Sequence, residues 1–202
     1  MTPAHDTAAT AAPAPPPARL SARDGAFMIA RGAAGAAFGL ATVFWPRVQL
    51  ASAAQLAIGV RTAALVTLGY LLVAGILLFL QSVRQRGTVR LVLQCEAIIV
   101  LPAAVFLLLA QQPGQLRAAV CIWALLYGLL ELWMYRVRRA EPMAADFLIS
   151  AGLHVLLAVI VGFGTQMAAL SVFGFAGAAV LIVSVLFIVG GATRRMRARK
   201  EA

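Results

Sequence analysis

The chain has 202 residues, of which 62% are apolar and 12% charged, and its mean hydropathy is +0.92. A soluble domain carries about 45 to 50% apolar residues and leaves much of its side-chain surface in water, so a soluble fold is excluded and lipid is the solvent that fits. The net charge of +10 comes from 17 basic and 7 acidic residues set in short clusters between long apolar runs. That is the pattern of membrane topology and anionic lipid contact, not of a nucleic-acid-binding face.

Residues 1–24 are rich in Ala, Pro and Thr without apolar periodicity, and are expected to form a disordered tail. Six apolar stretches follow, at about 26–45, 62–81, 91–110, 118–135, 144–163 and 168–191. Each is near the roughly 20 residues that cross the hydrocarbon core as a helix. A transmembrane barrel would alternate apolar and polar residues, and the unbroken run LGYLLVAGILLFL does not. The fold class is therefore all-α and polytopic. The first stretch follows Arg19 and Arg23 and precedes a signal-peptidase-like Ala51-Ser52-Ala53. It exceeds the usual h-region, so it is read as an uncleaved span. Segment 46–60 is assigned to an interfacial loop or half turn, and residues 196–202 to a basic tail after a transmembrane domain at 25–195.

Thirteen basic residues, at 19, 23, 84, 86, 90, 136, 138, 139, 194, 195, 197, 199 and 200, fall on one side of this arrangement, and Arg47, Arg61 and Arg117 on the other. The positive-inside bias puts both termini and both basic loops in the cytoplasm, with Trp45 at the outer interface and Trp133 and Tyr135 at the inner one. The spans divide into three helical hairpins at roughly 25–86, 88–139 and 143–195. In each returning helix an aromatic residue stands five positions before a small one: Tyr70 and Gly75, Trp123 and Gly128, Phe173 and Ala178. This weak repeat suggests equivalent hairpins.

An ionisable group inside a span costs about 2.5 to 3.5 kcal/mol, so each needs a partner or a water-filled path. Arg31, Glu96 and Glu131 share one depth, roughly 7 to 9 Å below the cytoplasmic boundary at 1.5 Å per residue. Asp146 is shallower, and His154, near the midplane, is grouped with Arg31, Glu96 and Glu131 as a candidate intramembrane polar cluster. Two readings stay open: a buried charge cluster that fixes helix register, or a proton-responsive or solute-facing site in which the carboxylate left over by one arginine faces water or carries a proton. Tyr127 lies one turn before Glu131 and is placed to reach it. Gly35 and Gly39 follow Arg31 at helical spacing and are read as helix-packing residues. Pro102 is expected to bend the third span by freeing the Ile98 carbonyl. Cys95 and Cys121 fall too far apart along the membrane normal for a disulfide, and no Cys/His spacing suits zinc. Glycines 32, 35 and 39 lie inside a span and make no phosphate loop, and Ser150, Ser171 and Ser184 lack a nucleophile motif. No catalytic, metal or cofactor residue is assigned, and an enzyme is not expected.

The opening run FMIARGAAGAAFGLATVFWP, with Arg31-Gly32, Phe38-Gly39 and Pro46, resembles the start of the HdeD-like acid-resistance membrane proteins. The second hairpin is also similar, through Glu96, Pro113 and the Trp123-Ala124-x-x-x-Gly128 stretch before Glu131, while the third matches in outline. The resemblance covers residues 25–195, though the stretch from Pro46 to Gly75 is longer than the family pattern. It implies a six-span bacterial inner-membrane protein, linked in some members to stress or acid tolerance, with no catalytic residues to carry over. The leading expectation is thus a non-enzymatic membrane protein of acid or envelope stress, contacting anionic lipid headgroups and self-associating through small-residue faces. The alternative is a small proton-coupled transporter or channel lined by the intramembrane cluster.

Overall fold

The computed structural model describes residues 22–45, 58–141 and 144–200, which form α1 (Ala22–Val43), α2 (Val60–Ser82), α3 (Gly87–Ile98), α4 (Val100–Leu109), α5 (Pro113–Arg138), α6 (Ala145–Phe163) and α7 (Ala169–Lys200). The segments α3 and α4 make one span, so six helices are long and apolar enough to cross a membrane. Each buries only 39 to 44% of its most apolar window inside the bundle. The rest turns side chains such as Ile76, Phe79, Leu101, Phe106 and Val185 outward, a surface that is stable only in lipid. The tail to residue 21, Pro46, Arg47 and the rest of segment 46–57, and residues 142–143 and 201–202 lie outside the described residues.

The break between α3 and α4 has a local cause. Pro102 has no N–H for the Ile98 carbonyl and its ring crowds it, so the helix relaxes at Ile99, whose own N–H still reaches Cys95 O at 3.0 Å. At the preceding turn Gly87 adopts φ 59°, a left-handed conformation that reverses the chain from α2 into α3. At the far end, α7 continues as one helix through Lys200. The basic segment at 196–200 therefore extends the last span instead of leaving it as an irregular tail. At 32 residues this helix is about 48 Å long, well beyond the roughly 30 Å of hydrocarbon.

The hairpins of the sequence are not the packing units. The most extensive contact joins α1 to α7, the two ends of the chain, and the next joins α5 to α6. The first pair is antiparallel: Gly25 meets Gly191 near one end and Thr42 meets Gly177 near the other. A Cβ on Gly39 would stand 2.6 Å from Leu181 Cβ and 2.8 Å from Gly177 O, so hydrogen alone lets the backbones approach this closely. Gly35 faces Ser184 and Val180 in the same way. Equivalence of the hairpins also fails at the third: Ala178 is exposed, and Gly177 is the buried contact residue. The α7 register is set by α1, not by its own hairpin partner.

Candidate functional site

Arg31, Glu96 and Glu131 each lie seven to nine residues from the same end of their spans, so helical rise alone brings them to one level. The fold then packs α3 against α5, while α1, whose backbone touches only α2 and α7, reaches them with the long Arg31 side chain. Arg31 Nη2 donates to Glu131 Oε1 at 3.1 Å and to the Tyr127 hydroxyl, and stands 3.8 Å from Glu96 Oε2. The guanidinium carbon lies 4.9 Å from the centre of the Phe187 ring, which closes the fourth side from α7. Glu96 and Glu131 are 1% and 0% exposed, so the group is cut off from bulk solvent. Glu96 Oε1 and Oε2 and Glu131 Oε2 have no protein hydrogen-bond partner. One guanidinium thus serves two carboxylates unequally: Glu131 takes the hydrogen bond and Glu96 only the charge.

His154, midway along α6, adjoins this group through Tyr127. Its ring centre is 4.6 Å from that of Tyr127 and 5.5 Å from that of Trp123, while Nδ1 donates to Ser150 O at 2.9 Å. Donation from Nδ1 leaves Nε2 as the acceptor whenever the ring is neutral. Tyr127, the residue that reaches Arg31, therefore also bridges to His154. From Trp123 the rings continue to Tyr70 (6.3 Å), Phe38 (4.6 Å), Phe173 (5.7 Å) and Trp45 (5.8 Å). The aromatic residues of the three weakly repeated motifs join one stack.

A second polar network, not assigned as a site from the sequence, lies at the basic-loop end. Arg138 Nη1 and Arg194 Nη1 both donate to Glu141 Oε2, at 3.2 and 3.3 Å. Arg138 Nη2 reaches Gln85 Oε1 at 3.5 Å, and Gln85 Nε2 donates to Asp24 Oδ1 at 2.5 Å. The Arg194 guanidinium lies over Phe147 at 5.5 Å, and both Arg138 and Arg194 are buried. Asp146 belongs beside Arg194, with Oδ2 against Gly190, and not with the Arg31 group. This network ties the ends of α1, α2, α5 and α7 together. One signal pointed to it: Arg138 follows Glu131 by seven residues, on the same helical face.

Cys95 and Cys121 are both free, and Cys121 donates to Ala158 O at 3.3 Å. Among the described residues no three His, Cys, Asp or Glu side chains gather in a way that could hold a metal ion. What the site offers chemically is ionic: a buried guanidinium, a surplus carboxylate, and a tyrosine and histidine in contact with them.

Fold and site together define an all-α, multi-pass membrane protein with a buried Arg/Glu/Tyr cluster. Comparison with models of protein families, with curated proteins and with solved structures gave no match.

Proposed function

We propose that the chain is a non-enzymatic, HdeD-like protein of a bacterial inner membrane, with both termini cytoplasmic, that serves acid or envelope stress tolerance through a proton-responsive buried cluster. The observation that carries the proton-linked part is the convergence of two buried carboxylates on one guanidinium, with Glu96 beyond hydrogen-bond reach of it. An uncompensated charge is unfavourable in hydrocarbon, so the pair holds a proton that it can exchange. The residues that carry the family resemblance support the reading by having defined work: Gly32 and Gly39 admit α7, Phe38 joins the aromatic stack, and Glu96 and Glu131 meet Arg31. Exposed Arg84, Arg86, Arg90, Arg136 and Arg139 support contact with anionic headgroups on the cytoplasmic side. The Gly-rich face of α1 is occupied by α7, so self-association would use other surfaces.

Infrared difference spectra of the protein in lipid, between about pH 7 and pH 5, test the reading. They should show a carboxyl C=O band that is lost in Glu96→Gln or Glu131→Gln, and the same variants should lose protection of cells against acid. Absence of the band, with full protection by both variants, would reduce the cluster to a structural tie. The second reading, a small proton-coupled transporter or channel, is favoured by the polar groups that run from Glu141 through Arg138 and Arg31 to His154. It predicts proton flux into liposomes that depends on Glu96.

A further inference from the structure

We infer that the Glu96–Glu131 pair exchanges protons with one face of the membrane only, the face of the basic loops, through water held along Arg138 and Glu141. The inference rests on the proton-responsive reading and adds a direction to it.

The two ends of the bundle differ in what lies between the pair and the surface. Toward the basic loops the buried polar groups are Arg138, two turns beyond Glu131 and about 10.5 Å along α5 past buried Met134, and Gln81 near the end of α2, whose Oε1 has no protein partner. Arg138 leads to Glu141, whose side chain is 27% exposed, and to Gln85 and Asp24 at the surface. Along this route Glu96 Oε1 and Oε2, Glu131 Oε2 and Arg138 Nε are all buried without a protein partner. Buried polar atoms of this kind are the ones that water or a proton satisfies.

Toward the opposite face the pair meets rings and aliphatic side chains. Beyond Tyr127 come His154, Trp123, Tyr70, Phe38 and Phe173 in ring contact, packed among Val120, Leu157, Val161 and Val172, each no more than 3% exposed. The two buried threonine hydroxyls on that side are engaged within their own helix: Thr42 donates to Gly39 O at 2.7 Å and Thr67 to Ala63 O at 2.8 Å. All described carboxylates, Asp24, Glu96, Glu131, Glu141 and Asp146, lie in the half of the bundle nearer the basic loops. The charged or titratable groups facing the pair are Arg31 from α1, Tyr70 from α2, Tyr127 and Arg138 from α5 and His154 from α6, while α7 presents Phe187. Of these, Arg138 alone has hydrogen-bonded partners that reach solvent at the basic-loop end.

Dicyclohexylcarbodiimide tests the direction, because it enters the bilayer from either side and modifies carboxyl groups in their protonated form. The full-length protein is placed in liposomes with about pH 7 on one face and about pH 5 on the other, in both senses. Insertion is read from an impermeant thiol reagent at Arg86→Cys in a chain with Cys95→Ala and Cys121→Ala. Adduct on Glu96 or Glu131, measured by mass spectrometry, should rise several-fold when the basic-loop face is acid and stay unchanged when the opposite face is acid. Arg138→Leu should slow that rise, and Arg138→Lys should restore it. A rise driven by the opposite face alone, or equally by both, overturns the one-sided route while leaving the proton-responsive reading intact. Adduct that does not respond to acid on either face, or on both at once, removes both. The gradient experiment on the otherwise unaltered chain decides the direction even where an Arg138 variant does not fold.

Discussion

Replacing Arg31 by leucine is the most direct perturbation of the buried cluster. The change deletes the hydrogen bonds to Glu131 and Tyr127 and the contact with Phe187, and it leaves two carboxylates at 0% and 1% exposure without their central cation. Removing one partner of a buried ion pair costs about 3 to 5 kcal/mol, and proton uptake by the orphaned carboxylates should hold the loss to about 3 kcal/mol. In a chain of this size that is a fall of about 6 to 12 °C in the midpoint of thermal unfolding in detergent. Adding Glu131→Gln removes one orphaned charge at nearly constant volume, so the double variant should recover about 1 to 2 kcal/mol. Adding Glu96→Gln should recover less, because its oxygen stands 3.8 Å from the guanidinium where that of Glu131 stands 3.1 Å. Thermal unfolding of the single and double variants in one detergent gives the coupling energies. Strictly additive losses in both doubles would refute the pairing, and larger rescue by Glu96→Gln would refute the unequal division of the guanidinium.

Gly39→Ala should lower stability by about 1 to 3 kcal/mol, since the new methyl meets Leu181 Cβ and Gly177 O on a helix held by α1 backbone contacts. Gly69→Ala, where an added Cβ meets nothing within 4 Å, should be neutral or raise stability by up to about 1 kcal/mol; equal effects at the two sites, read by thermal unfolding, would contradict the close approach of α1 and α7. For orientation, in a chain without Cys95 and Cys121, a single cysteine at exposed Gly114 should react with an impermeant reagent outside intact cells, and one at exposed Arg86 should react only after permeabilisation. The reverse pattern would invert the topology.

The spans were legible in the sequence because crossing the hydrocarbon sets a length that continuous apolar runs display directly. The level shared by Arg31, Glu96 and Glu131 was legible for a related reason: helical rise converts a residue count from the boundary into a depth, whatever the helices do sideways. Lateral arrangement follows no such rule. The pairing of α1 with α7 depends on matching Gly25, Gly32, Gly35 and Gly39 to Gly191, Ser184 and Gly177, residues more than 130 positions away, and common small residues specify no unique partner. Arg138 and Arg194 were counted as loop charges. They are instead buried, because α5 and α7 run on as helices past the apolar stretches and fold those arginines back onto Glu141 and Phe147. His154 could be grouped with the cluster from the sequence, but its contact through Tyr127 could not, because that depends on the closeness of α5 and α6, which the small Gly128 permits against Ala151 and Val155.

Two described arginines that depart from the charge bias, Arg61 and Arg117, extend the electrostatic account. Arg61 donates to Leu108 O at the end of α4, and Arg117 donates to Gly164 O, 2.9 Å away, just past the end of α6. Both carbonyls belong to helices whose C-termini point away from the basic loops, where the partial negative charge of the helix dipole gathers and the last carbonyls lack intrahelical donors. A cation there is worth about 0.3 to 1 kcal/mol, and it satisfies a carbonyl that would otherwise need water at the membrane surface. These two arginines are thus committed to helix ends, whereas the opposite end of the bundle combines exposed arginines with every described carboxylate. Ionisable chemistry is therefore concentrated at one end, and the other is closed by capped helices and stacked rings. This asymmetry favours a protein that registers conditions on one side over one that passes ions between the two. It also makes the side on which the Glu96–Glu131 pair titrates the measurement that separates those functions.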